Sequence, residues 1–87
     1  MQPKTEIMAY PNPTEGILSI DFKLFKTSAC KFEVIDAIGR TISSTNESKY
    51  EGGLQSLNLD LSSVNEGLYT LRVWLGDELH VLKVIKR

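Results

Sequence analysis

The chain has 87 residues, room for a single domain with a thin core, because a domain this small buries only about 60% of the surface its unfolded chain exposes. Apolar residues at 41% and charged residues at 24% are ordinary for a globular domain and argue against disorder. A formal net charge of −1 supplies no surplus of cations to neutralise phosphates, so nucleic acid is not the expected partner, and no apolar run approaches the roughly 20 residues that cross a bilayer.

Met1 to Glu6 holds no apolar signal-peptide segment, and residues 1–9 are expected to form a leader running into the first strand, with one domain over 10–87. Apolar residues then alternate with polar ones almost throughout, and no long window carries a helical stripe. The pattern predicts strands at Ile7 to Tyr10, Ile17 to Lys23, Cys30 to Asp36, Thr41 to Thr45, Leu54 to Asp60, Leu68 to Leu75 and Leu79 to Lys86. Seven short antiparallel strands at this spacing predict an all-β sandwich of the immunoglobulin-like kind.

The connections have their own chemistry. Pro11-Asn12-Pro13 contains two residues that cannot donate to a ladder, so pairing must stop there at a rigid corner. In Asp36-Ala37-Ile38-Gly39 the carboxylate can accept from backbone two residues on and Gly39 can take positive φ, which predicts a tight hairpin. Asn46 to Gly53 is polar, ends in two glycines, and is expected to be a mobile loop. Gly76-Asp77 is a two-residue hairpin signal that sets a register: Leu75 opposite Glu78, Val73 opposite His80, Leu71 opposite Leu82, Tyr69 opposite Val84. That register gathers Leu68, Trp74, Leu79, Val81 and Ile85 on one face, with Thr70, Arg72 and Lys83 interleaved. So much apolar area is expected to be covered by another segment; uncovered, Trp74, Leu79 and Val81 form a docking patch.

Catalytic chemistry finds no starting point. His80 is the single histidine, no Ser or Cys stands in a nucleophile-elbow context, and one Cys with one His at no motif spacing does not make a zinc site. Asp36, Asp60, Glu66 and Asp77 lie beside turns, where capping explains them more simply than calcium does. No metal or cofactor is expected. Cys30 alternates with polar neighbours and reads as a small buried hydrophobe. Leu61 to Tyr69 has the form of a tyrosine corner, in which the Tyr69 hydroxyl bonds upstream backbone and Gly67 lets the chain turn into the strand without a side chain in the way.

Tyr10-Pro11-Asn12-Pro13, Val34 to Arg40, Leu59 to Ser63 through Gly67-Leu68-Tyr69, and Lys83-Val84-Ile85-Lys86 occur in an order and spacing that resemble the C-terminal sorting domain of type IX secretion in Bacteroidetes. The resemblance spans nearly the whole chain. It implies an immunoglobulin-like sandwich without catalytic activity, attached to an upstream cargo domain. Its implied partners are the outer-membrane secretion machinery and a surface sortase-like enzyme that removes the domain. Its implied route runs through the periplasm to the cell surface or the medium. It carries the family's motif onto Pro11, Asn12, Pro13, Gly67, Tyr69, Lys83, Lys86 and Arg87, while Trp74 stands where the family is more often polar. Two alternatives remain open: an immunoglobulin- or fibronectin III-like accessory module that binds carbohydrate or protein, and a spacer between domains. An uncovered edge strand would also permit a weak homodimer.

Overall fold

A computed structural model describes residues 6–87; the leader expected at 1–9 lies partly outside them. Eight strands form: β1 (Glu6–Tyr10), β2 (Ile17–Leu24), β3 (Ser28–Ile35), β4 (Thr41–Ser44), β5 (Ser48–Tyr50), β6 (Gly53–Asp60), β7 (Gly67–Leu75) and β8 (Glu78–Lys86). Two sheets result, one in the order β1-β2-β6 and the other β4-β3-β7-β8, with β5 also paired to β3. Every strand pair is antiparallel. The all-β, immunoglobulin-like sandwich expected from alternation is the architecture found.

Period-two alternation turns one face of each sheet inward. Leu18, Ile20, Phe22 and Leu24 of β2 meet Cys30, Phe32 and Val34 of β3 and Tyr69, Leu71, Val73 and Leu75 of β7 in a single core. Cys30 is buried there as a free thiol, and burial pushes its pKa up, which suits the small hydrophobe read from its neighbours.

Two expectations are corrected. The segment read as a mobile loop contains β5, whose Ser48, Lys49 and Tyr50 pair with Cys30, Ala29 and Ser28. Tyr50 anchors it by packing edge-on against Phe22 and Phe32, at ring-centroid distances of 5.4 and 6.1 Å. One long strand, β3, therefore serves two short neighbours, β5 along its first half and β4 along its second.

The second correction concerns the apolar face of the last hairpin. The predicted register is found throughout, from Leu75 opposite Glu78 to Gly67 opposite Lys86. No described segment covers that face: Leu68, Leu79, Val81 and Ile85 stay about half exposed. An antiparallel sheet needs only one buried face, and here the buried face is the one bearing Tyr69, Leu71 and Val84. Trp74 is half-buried, with the Lys31 ammonium and the Arg72 guanidinium each 5.5 Å from its ring centroid. Arg72 in turn donates to Glu33 at 2.6 Å. The tryptophan is thus held among charges rather than beneath a covering strand.

Candidate functional site

The motif residues gather at one end of the sandwich. The register places Gly67 beside Lys86 and Ile35 beside Thr70, while Ile17 stands opposite Asp60 in the other sheet. The corner at 11–16, the turn at 36–40, the loop at 61–66 and the chain end at 86–87 therefore share that end. Gly76-Asp77 and β5 belong to the opposite one.

The corner fastens the last strand. β1 stops at Tyr10, and Pro11 and Pro13 both follow cis peptide bonds. Between them the Asn12 carboxamide lies along β8: its Nδ2 donates to the Lys83 carbonyl at 2.8 Å, and its Oδ1 accepts from the Ile85 N–H at 2.9 Å. Thr14 continues the ladder, its N–H donating to the Ile85 carbonyl and its carbonyl accepting from the Arg87 N–H, both at 2.8 Å. A carboxamide has one acceptor and one donor end, so it pairs with a strand edge as a peptide unit does.

Thr14 was not singled out from sequence. It is fully buried, and its hydroxyl donates to the Ile17 carbonyl and accepts from the Gly16 N–H. A hydroxyl residue two places before a glycine is a local turn signal, and that signal could have found it.

The turn at Asp36 closes as its residues predict. Oδ1 accepts from the N–H groups of Ile38 and Arg40, Oδ2 from Arg40 Nε, and Gly39 has φ +92°. These donors, the Arg40 backbone N–H foremost, hold the Asp36 carboxyl below the usual carboxylate range. Asp60 is likewise lowered, chiefly by its hydrogen bonding to Ser62. Both carboxylates are thus occupied in capping, and no group of metal-ligating side chains comes together among the described residues.

The tyrosine corner is present. The Tyr69 hydroxyl donates to the Asn65 carbonyl at 2.6 Å, four residues upstream. Gly67 contributes through its backbone, with φ +153°, and not by making room, because a Cβ there would meet nothing within 4 Å.

The basic residues near the end divide. Lys83 and Arg87 are exposed, Lys83 on the outer face as expected. Lys86 is buried, its Nζ donating to the carbonyls of Val64 and Arg87. It joins the loop at 61–66 to the last strand instead of presenting charge to solvent. Trp74, Leu79 and Val81 lie away from these contacts, on the outer face of the β7–β8 hairpin.

The described family model for the secretion system C-terminal sorting domain matches residues 8–87. The chain belongs to that family. It is the sorting domain of type IX secretion, and its job is that of a C-terminal sorting signal. No curated protein matches the chain. In this sorting domain the segment after β1 and the end of β8 form one hydrogen-bonded unit, through Asn12 and Thr14.

Proposed function

We propose that this domain directs a cargo protein, joined to its N-terminal side, across the outer membrane to the cell surface, and that it performs no catalysis itself. The reading rests on the family match together with one observation: the Asn12 carboxamide bridges Lys83 and Ile85, so motifs at opposite ends of the sequence make one folded surface. Export machinery in the outer membrane would read that surface after transit through the periplasm, and a sortase-like surface enzyme would then act on the exported protein. Pro11, Asn12, Pro13, Asp36, Gly39, Gly67 and Tyr69 shape the surface, and Lys83 and Arg87 give it exposed charge. Lys86 supports it from beneath.

The test is a passive reporter fused ahead of residues 1–87 in a host with type IX secretion. The reporter is expected at the cell surface, and deletion of Val84 to Arg87 is expected to abolish display. A correctly folded fusion that stays in the periplasm overturns the reading. The carbohydrate-module alternative gains nothing from the geometry, since two cations already sit over the Trp74 ring that a sugar would stack on.

A further inference from the structure

β8 lies on an edge of its sheet, and the groups that the corner engages are Lys83 C=O, Ile85 N–H and C=O, and Arg87 N–H. Odd-numbered residues of β8 therefore aim their backbone away from β7, and the same holds for Leu79 and Val81. From Leu79 to the Lys83 N–H that edge has no backbone partner among the described residues. The side chains there are apolar as well, with Leu79 51% and Val81 58% exposed.

Two of the other edges are blunted in ways this one is not. β4 has four residues and an irregular register against β3, and β6 turns Ser56, Asn58 and Asp60 to solvent. A long, apolar, unpaired edge is a template for another strand.

We propose that the other strand is β8 of a second copy, running antiparallel with the two-fold axis at His80. Only outward-facing residues can exchange bonds across such an axis, so odd residues must meet odd residues. The corner closes the edge beyond Lys83, which leaves Leu79 opposite Val81 of the second copy, and the reverse. The N–H and C=O groups of Leu79 and Val81 are then satisfied in both copies, and their side chains meet on the outer face. Asp77 of one copy comes opposite Lys83 of the other. The chain is acidic where β8 begins, at Asp77-Glu78, and has exposed cations at Lys83 within the strand and at Arg87 just after it. An antiparallel pair therefore sets opposite charges together, whereas a parallel pair would stack like on like.

Sedimentation of the full chain over a concentration series is the first test. Self-association is expected, weakened at least about tenfold by Val81→Pro, which removes an outward N–H where an edge strand tolerates proline. Val81→Lys, which leaves the N–H in place, is expected to weaken it as well and guards against a folding defect in the proline variant. Asp77→Lys is expected to weaken association, and adding Lys83→Asp to restore it. Register is read by oxidation in a Cys30→Ala background. Residues facing at the axis have Cα atoms roughly 4.5 Å apart, within disulfide range, so His80→Cys is expected to cross-link faster than Val81→Cys. A chain that stays monomeric up to roughly millimolar concentration, a dimer indifferent to both Val81 variants, or faster cross-linking through Val81→Cys overturns the proposal.

Discussion

The two ends of this sandwich are built differently. At the end holding the family motifs, side chains bond backbone: Asn12 to Lys83 and Ile85 and Lys86 to Val64 across long stretches of sequence, Tyr69 to Asn65 and Asp36 to Ile38 and Arg40 within four residues. At the other end Gly76, with φ +64°, turns the last hairpin in two residues, and β8 leaves it with an open edge. β8 runs from one regime to the other. The outer edge of its second half is fastened by Asn12 and Thr14, while the outward backbone groups of Leu79 and Val81 have no partner among the described residues, so the corner secures the end of the strand and not the strand as a whole.

Substitutions along β8 and at the motif end test that contrast, and their effects should fall in order. Val84 is buried in the fastened half, so Val84→Ala is expected to cost about 2 kcal/mol, while Val81→Ala in the open half should stay within about 0.5 kcal/mol. Equal losses in denaturant titrations would erase the difference between the halves. Asn12→Ala removes two hydrogen bonds and should cost about 1–2 kcal/mol. Asn12→Asp keeps the acceptor for Ile85 but sets a carboxylate against the Lys83 carbonyl, so it should also melt below wild type.

Tyr69→Phe should cost about 1 kcal/mol, the net worth of the one hydrogen bond that it deletes, and a melting curve that superimposes on wild type would remove the corner from the account. The smallest effect is expected from Asp36. Its folded-state pKa is depressed, so the associated stability is present above the ordinary carboxylate pKa and disappears as pH falls through the lowered one. Asp36→Asn should flatten that acid limb of the stability profile, and an unchanged slope would show that the turn contributes nothing to it.

Which of these features could be read in the sequence depended on how far apart the partners lie. The β7–β8 register follows from Gly76 and alternation alone, and the Asp36 and Tyr69 bonds span at most four residues, so local chemistry was sufficient. The Asn12 bridge spans 71 and 73 residues, and no local pattern announces it. β5 escaped for a related reason. Three residues, Ser48, Lys49 and Tyr50, are too few to show a period, and their placement depends on Tyr50 reaching Phe22 and Phe32. The expected cover over Trp74 failed because an apolar stripe was taken to require burial, whereas Lys31, Arg72 and Glu33 supply a charged setting for the ring on an open face.

The central claim is that the corner after β1 fastens the last strand, and amide hydrogen exchange, run below the concentration at which sedimentation detects self-association, tests it residue by residue. The account predicts slow exchange at Ile85 and Arg87, fast exchange at Val81, and an Ile85 amide that speeds toward the Val81 rate in Asn12→Ala while core amides of β7 hold theirs. An Ile85 amide that already exchanges as fast as Val81 in the wild-type chain, or one that Asn12→Ala leaves unchanged, would contradict it.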